Sequence, residues 1–177
     1  MSTPRVISDV ALDNSFQGDT IQTCIVSRDI HRTMAGMVKL GIGPWRLYEF
    51  GPETVSDMTY MGRPARYKMK LALAFSGNMM WEIIESVTGP NIYEDFLRDH
   101  GEGIHHVAQG CNNLPYAERV AAYKARGLQL IQSGTWAGRV PYAYFASDGL
   151  ISTTIEIFDI PADFVMPEPL EWYPARP

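Results

Sequence analysis

Cysteine is scarce in this chain of 177 residues, because only Cys24 and Cys111 are present. Two thiols are too few for a disulfide framework or for a zinc site built from several thiolates, and their scarcity predicts a reducing, cytoplasmic location. No stretch reaches the roughly 18 uninterrupted apolar residues of a transmembrane helix, and the first twenty residues contain no apolar core of signal-peptide length. We therefore expect a soluble protein without an export signal or a membrane partner.

Positive charge is also limited. The chain has 15 Lys and Arg residues against 20 Asp and Glu residues, a net charge of −5, and no window concentrates the basic residues. Phosphate binding depends on clustered positive charge, so a nucleic-acid partner is not expected. With 46% hydrophobic and 20% charged residues the composition is that of a folded globular protein, and the length favours a single domain.

The hydrophobic period alternates along the chain between about two and about 3.6 residues, which indicates mixed strands and helices. Predicted strands cover residues 20–27, 45–50, 67–75, 79–86, 104–111, 128–132, 141–146 and 151–158. Predicted helices cover residues 30–40, with Asp29 as N-cap, then 92–99, and a third helix that begins at Pro115 as its first residue and ends at Gly127. We interpret residues 51–64 as a polar loop and Asp148-Gly149 as a turn.

These elements form a repeat of two β-α-β-β-β units that are offset by about 75 to 85 residues. The chain has too few helices for a doubly wound parallel sheet, so antiparallel hairpins should dominate. We predict an N-terminal arm over residues 1–18, one domain over residues 19–160 with modules of about 19–100 and 101–160, and a proline-rich C-terminal arm over residues 161–177.

Four polar residues interrupt predicted strands whose other side chains are mostly apolar, and a buried polar group needs a partner. Gln22 and His106 lie in the first strand of each unit, and Glu82 and Glu156 lie in the last. If a pseudo-twofold axis relates the units, the four side chains converge on one point. An imidazole, two carboxylates and an amide oxygen suit a divalent ion such as Zn²⁺, Ni²⁺, Co²⁺ or Mn²⁺. Taken singly, each glutamate could face solvent and the histidine could be a structural core residue.

Three segments carry a resemblance to a known family: GEGIHHVA, the preceding WEIIESVTGPNIYEDFL, and LGIGPW. They resemble the vicinal oxygen chelate superfamily, whose members include glyoxalase I and methylmalonyl-CoA epimerase, over about Asp19 to Asp159. The resemblance implies an α+β fold in which paired βαβββ modules form a half-open, cup-shaped mixed sheet around one divalent metal ion. It also implies a small-molecule substrate with a carbonyl group and a homodimer.

The same resemblance assigns the metal ligands to Gln22, Glu82, His106 and Glu156. His106 is preferred over His105 because it holds the place in IHHVA that Gln22 holds in TIQTCIV. The implied activity is that of an isomerase, epimerase or lyase that abstracts a proton next to a metal-bound carbonyl through an enolate, with Glu156 as both ligand and base.

The cup wall is predicted from strand parity. It should contain Cys24, Ile84, Ala108 and Phe158, together with Tyr142 and Tyr144. The tyrosine hydroxyls could orient substrate or shuttle a proton, and with His105 they are the next candidates for the base. Their alternative role is packing, and we expect Trp45, Trp81 and Trp136 in the core.

Two departures from the family bear on the activity. Extradiol dioxygenases use two histidines and one glutamate for iron, and Gln22 replaces the first histidine, so an oxygenase is the least favoured reading. Methylmalonyl-CoA epimerase has a second catalytic glutamate at a position that matches Arg66 and Tyr67 here, which puts a two-base epimerisation in doubt. A metal-free binding protein, like the bleomycin-resistance proteins, is the main alternative function.

Overall fold

The structure is a computed structural model that describes residues 16–111 and 114–177. Within these residues the chain forms eleven strands and four helices. The strands are β1 (Thr20–Val26), β2 (Trp45–Phe50), β3 (Val55–Tyr60), β4 (Arg63–Pro64), β5 (Lys68–Ser76), β6 (Met79–Thr88), β7 (Gly103–Gln109), β8 (Leu130–Trp136), β9 (Val140–Phe145), β10 (Thr154–Phe158) and β11 (Glu171–Tyr173). The helices are α1 (Ile30–Lys39), α2 (Ile92–Asp99), α3 (Tyr116–Ala125) and α4 (Asp148–Ile151).

The strands join one mixed sheet in the order β11-β2-β5-β6-β1-β7-β10-β9-β8-β3-β4. At its centre β1 and β7 are antiparallel, and each has a parallel outer neighbour, β6 beside β1 and β10 beside β7. Strand β2 lies near one end of this order and β3 near the other, yet only residues 51–54 connect them. The sheet must therefore curl until its two sides come close together. Phe50 of β2 stacks on Trp136 of β8 with ring centroids 4.8 Å apart. The predicted α+β class and cup-shaped sheet are confirmed.

Alternation along the strands divides the core between the inside and the outside of the cup. Ile84 of β6 belongs to the large apolar cluster inside the cup, whereas its neighbour Ile83 belongs to a cluster with α1. Helix α1 begins after the predicted N-cap Asp29, whose carboxylate accepts a hydrogen bond from the Arg32 amide at 2.9 Å. On the other outer side, Tyr123 of α3 stacks on Phe145 of β9 at 4.8 Å. Helices α1 and α3 therefore pack on the outside of the cup, whereas α2 packs against the inner cluster through Ile92, Tyr93 and Leu97.

Several predicted boundaries were wrong in instructive places. The polar loop over residues 51–64 contains β3 and β4, and β3 pairs with β8 of the other module. Asp148 and Gly149 begin the short helix α4 rather than form a turn, so β10 starts at Thr154. Pro115 is the N-cap of α3 rather than its first residue.

Both predicted arms contact the domain between them. Residues 1–15 of the N-terminal arm lie outside the described residues, and Phe16 packs on Tyr123 with ring centroids 5.1 Å apart. In the C-terminal arm, β11 pairs antiparallel with β2, and Leu170 donates a backbone hydrogen bond to Leu47 at 2.8 Å. Among residues 16–111 and 114–177, no helix is both long enough and apolar enough to cross a membrane.

Candidate metal centre

The register of the central strands defines a pseudo-twofold axis between β1 and β7. Gln22 is opposite Ala108, and Cys24 is opposite His106. Exchanging the two strands maps Gln22 onto His106 and Cys24 onto Ala108. The outer neighbours obey the same relation, because Glu82 of β6 is beside Cys24 and Glu156 of β10 is beside Ala108.

All four predicted ligands therefore lie on one face of the sheet. In-register neighbours in a sheet share a face, and residues two apart on a strand do too, so the pairings place them together on the concave side. Gln22, Glu82, His106 and Glu156 are between 0% and 4% exposed. Cys24 and Ala108 lie between these residues on the same face, and their small side chains leave space between the polar groups.

A bulge precedes each of the two ligands in the central strands. Thr20 is opposite Gln109 while Gln22 is opposite Ala108, so Ile21 is an extra residue in β1. In the same way His105 is an extra residue in β7, between the pairs of Cys24 with His106 and of Ile25 with Ile104. Bulges re-aim neighbouring side chains and occur next to functional sites. The two bulges occupy equivalent positions under the pseudo-twofold axis.

His106 stands between the two carboxylates. Its Nε2 donates a hydrogen bond to Glu82 Oε2 at 3.1 Å and lies 3.2 Å from Glu156 Oε2. The second contact has the distance of an ion pair without hydrogen-bond geometry, and Glu156 Oε2 is a buried atom without a hydrogen-bond partner among the described residues. Burial alone would lower the pKa of His106, but the two carboxylates outweigh it and raise the pKa to about 9.

His105 supports His106 from behind. The Nδ1 atoms of the two rings are 2.8 Å apart, and His105 packs edge-on against Phe96 and Tyr93 of α2. Burial, followed by the neighbouring His106, holds the pKa of His105 well below its usual value. A neutral His105 accepts a hydrogen bond from His106 Nδ1, which fixes the His106 ring with Nε2 toward the carboxylates. In the described residues, His105 does not line the cavity that the carboxylates face.

Tyr142 and Tyr144 do line that cavity, on the strand next to Glu156. Tyr144 is directly opposite Glu156 and meets the His106 ring edge-on at 5.0 Å. The hydroxyl of Tyr142 is 3.3 Å from that of Tyr67. Tyr67 is at the position that the sequence analysis matches to the second catalytic glutamate of methylmalonyl-CoA epimerase. Burial raises the pKa of Tyr67 to about 12 and raises those of Tyr142 and Tyr144 well above their usual value, so all three hydroxyls stay protonated.

Cys24, which the sequence predicts on the cup wall, lies beside the polar cluster. Its sulfur and the nearest ligand atoms of Glu82 and His106 are all within 4.8 Å of one another. Burial first, and Glu82 second, raise the pKa of the Cys24 thiol well above its usual value. Cys24 is therefore a neutral thiol beside the cluster rather than an activated nucleophile.

The donor set fits a divalent ion. Oxygens of Glu82 and Glu156 lie 3.1 and 3.2 Å from His106 Nε2. The donor atoms of Cys24, Glu82 and His106 lie within 4.8 Å of one another, and Gln22 lines the same cavity. Glu156 contributes a buried oxygen without a hydrogen-bond partner, which is the kind of group a cation would satisfy. Nitrogen and oxygen donors of this mixture suit borderline ions such as zinc.

The cavity above this cluster has a volume of about 250 Å³. Gln22, Glu82 and Glu156 form its polar end, and Tyr142, Tyr144 and Phe158 continue the wall. Trp136 is buried in the core cluster, as expected, and it also lines the cavity. Cys24, Ile84 and Ala108 are fully buried on the cup side without lining the cavity.

Comparison with known proteins identifies the family. The model of the Glyoxalase/Bleomycin resistance protein/Dioxygenase superfamily matches residues 21–145, and no curated protein matches the chain. Among solved structures, a hypothetical protein from Bacillus halodurans is similar at 19% identity and a TM-score of 0.63, covering 84% of this chain and 98% of that one.

Two methylmalonyl-CoA epimerases are also similar in structure. The Mycobacterium tuberculosis enzyme has 13% identity and a TM-score of 0.59, over 85% of this chain and 93% of its own. A Streptomyces coelicolor epimerase variant in complex with 2-nitronate-propionyl-CoA has 14% identity and a TM-score of 0.56, over 80% and 96%. At these identities the structural likeness concerns the fold, and it agrees with the resemblance to the vicinal oxygen chelate group. Because the family model covers most of the chain, the protein belongs to the Glyoxalase/Bleomycin resistance protein/Dioxygenase superfamily.

Proposed function

We propose that the protein is a divalent-metal-dependent isomerase, epimerase or lyase that abstracts a proton from the carbon next to a carbonyl group. The observation that carries this proposal is that buried carboxylates of Glu82 and Glu156 lie 3.1 and 3.2 Å from His106 Nε2, with Gln22 on the same face of the cup. The residues that would hold the ion are Gln22, Glu82, His106 and Glu156. When bound, the ion supplies Lewis-acid stabilisation of negative charge on the carbonyl oxygen.

Glu156 is the proposed base. It faces the cavity, and one of its oxygens has no hydrogen-bond partner among the described residues. Burial raises its pKa, with His106 acting in the opposite direction, and a carboxylate with a raised pKa is a stronger proton acceptor than one in water. The proton of the substrate carbon passes to this oxygen, which leaves an enolate, and returns from it to a carbon of the product.

The remaining residues would position the reactants. His105 holds the His106 ring through the contact between their Nδ1 atoms. The protonated Tyr142 and Tyr144 hydroxyls can donate hydrogen bonds to a substrate oxygen. The apolar wall of the cavity excludes water, which strengthens these electrostatic contacts.

Two measurements test the proposal together. Elemental analysis after gentle purification should find close to stoichiometric divalent metal, and Glu82→Gln should reduce it. Incubation with small ketones in deuterated water should give catalysed exchange at the carbon beside the carbonyl, followed by proton NMR. A protein that binds no metal and catalyses no exchange would contradict the proposal.

A second candidate is a binding protein that sequesters a small molecule without converting it. A protonated His106 between two carboxylates balances much of their charge without a metal ion, and this observation favours the alternative. Ligand binding that persists unchanged in a chelator, without exchange, would select it.

A homodimer completes the proposal, on the basis of the family resemblance. Sedimentation at micromolar concentration should give twice the chain mass of 19.9 kDa. A single chain mass under these conditions would contradict a dimer.

A further inference from the structure

The wall of the cavity is apolar apart from its metal-binding end. Beyond Gln22, Glu82 and Glu156, the polar side-chain groups of its lining residues are the hydroxyls of Tyr142 and Tyr144 and the indole N–H of Trp136. The remaining lining residues carry hydrocarbon, thioether or indole side chains, and they are Phe50, Met69, Leu71, Leu73, Phe75, Met80, Trp136, Val140, Phe158, Ile160, Phe164 and Met166. Among the residues that the structure describes, no Lys or Arg lines this cavity.

The open end of the cavity is apolar as well. Phe75 and Ile160 line the cavity and are 50% and 40% exposed, so they mark the side that faces solvent. Phe164 of the C-terminal segment meets Trp136 edge-on at 5.7 Å and covers part of the same side. An anionic group at this opening would lose hydration without gaining a cation.

The neighbouring surface also disfavours phosphate. Trp136 separates the cavity from a groove whose lining includes Glu49, Glu53 and Glu168 but one lysine, Lys68. The Lys68 ammonium already contacts both Glu49 and Glu53, at 3.5 and 3.3 Å. The groove therefore carries net negative charge, and its cation is engaged.

Arg139, which precedes the cavity-lining Val140, is similarly occupied. Its guanidinium contacts the Asp163 carboxylate at 2.6 Å, beside Phe164 of the rim. This pair is exposed, so it contributes little to stability, but it pairs the Arg139 guanidinium with an opposite charge.

We propose that the substrate is an uncharged, largely apolar ketone or ester of one or two rings, and that this cavity discriminates against CoA thioesters. The inference rests on the proposed function, because the carbonyl must reach the polar end formed by Gln22, Glu82 and Glu156. The volume of about 250 Å³ lies below the roughly 300–1,000 Å³ of pockets that hold drug-sized ligands, which suits a small ring system. A CoA thioester would have to extend its nucleotide past an apolar opening and an Arg139–Asp163 pair that carries no net charge.

Calorimetric titration of the zinc-supplied full chain tests this inference with two probes, β-tetralone and propionyl-CoA. β-Tetralone is a neutral bicyclic ketone with acidic protons beside its carbonyl, and we expect it to bind at least about tenfold more tightly than propionyl-CoA. Equal or weaker binding of β-tetralone, or binding of neither probe, would overturn the inference.

A matched pair of lysine substitutions locates the binding. Met166 lines the cavity, whereas the adjacent Val165 is 84% exposed and does not line it. Met166→Lys should weaken β-tetralone binding by about tenfold because an ammonium group in the apolar wall must lose hydration, and Val165→Lys should leave it unchanged. Equal effects of the two substitutions would place β-tetralone outside this cavity.

The outcome separates this inference from the proposed function. Tight β-tetralone binding without proton exchange beside its carbonyl would retain the apolar ligand class and reject the catalytic proposal. Exchange of propionyl-CoA protons together with weaker β-tetralone binding would retain the chemistry and reject the ligand class.

Discussion

Glu156 combines two proposed roles, ligand and base, and a single substitution separates them. Glu156→Gln keeps an oxygen donor facing the cavity but removes the proton acceptor. We expect metal content to persist while the rate of proton exchange beside the substrate carbonyl falls by roughly 10²-fold or more. Metal analysis and NMR exchange on the same preparation provide the measurement.

Gln22→Glu is the matched control for this substitution. It leaves Glu156 in place and adds a carboxylate on the same face of the cup, so the bound ion becomes a weaker Lewis acid and a moderate loss of rate is expected. If Glu156→Gln retained full activity with unchanged exchange, the base would be sought at Tyr142 or Tyr144, which line the same cavity.

His106 makes the stability of the metal-free protein depend on pH. Its pKa of about 9 lies above the value of about 6.5 expected in the unfolded chain. Because the pKa of His106 is higher in the folded protein than in the unfolded chain, its protonation stabilises the folded state fully below pH ~6.5. This contribution is lost as the pH rises through about 9. In chelator, the free energy of unfolding should fall by on the order of 3 kcal/mol between these pH values.

Denaturant titrations at several pH values would measure this loss. His106→Gln should remove most of the pH dependence. With zinc added, the trend should reverse, because the ion binds the deprotonated imidazole and its affinity increases with pH. A flat profile for the native protein in chelator would contradict the assignment.

The sequence pattern identified the polar residues of the site but not how they are supported. Gln22, Glu82, His106 and Glu156 stood out because polar side chains interrupt apolar strands, and that signal is local. The bulges at Ile21 and His105 leave no mark in the hydrophobic period, since they depend on how two strands are paired. The contact between His105 and His106 therefore required the structure.

At the scale of elements, Gly89 in the β6–α2 connection allows the backbone to pass close to the residues just before β5. Gly89 has φ of +81°, and a Cβ atom there would lie 2.4 Å from the Arg66 carbonyl oxygen. Gly101 has a similar φ of +83° with no atom within 4 Å of a Cβ atom. The two positions share backbone strain and differ in the steric clash.

Alanine substitutions at both positions measure that clash. Gly101→Ala should destabilise by about 1 kcal/mol from strain alone. Gly89→Ala should cost more than about 3 kcal/mol, because the clash involves backbone atoms that cannot turn aside. Denaturant unfolding of the two variants gives the comparison, and equal losses would contradict the close approach.

Elements with a regular local signal were predicted well, and elements defined by distant partners were not. Strands β1, β5, β6 and β7 were predicted close to their observed bounds, and α2 was predicted with its observed bounds of Ile92–Asp99. Strand β3 was missed because its sequence VSDMTY is largely polar and it is held by pairing with β8. Strand β11 was missed for the same reason, since three residues carry no period and are ordered by β2.

For the whole molecule, the two modules place the site on their symmetry axis. Each module contributes two of the four proposed ligands, Gln22 and Glu82 from one and His106 and Glu156 from the other. The antiparallel pairing of β1 with β7 brings the two pairs together. The fold could be inferred from the repeat because the same element order occurs twice. The substrate could not, since the cavity wall combines residues from β2, β5, β8, β9 and the C-terminal segment.

The C-terminal segment lines the cavity through Ile160, Phe164 and Met166. A chain that stops after Asp159 would lose these side chains and β11, exposing Trp136 and the free edge of β2. We expect a red-shifted tryptophan emission and β-tetralone binding weakened by at least about tenfold, since part of the apolar wall is removed.

A shorter truncation after Tyr173 is the control, because it keeps β11 and all three cavity residues. It should retain both the emission spectrum and the binding, and circular dichroism would confirm that both truncated chains remain folded. If the chain that stops after Asp159 unfolds, Phe164→Ala in the full chain tests the same contribution to β-tetralone binding, because Phe164 contacts Trp136 directly. Unchanged β-tetralone binding in Phe164→Ala would contradict a role of this segment in closing the cavity.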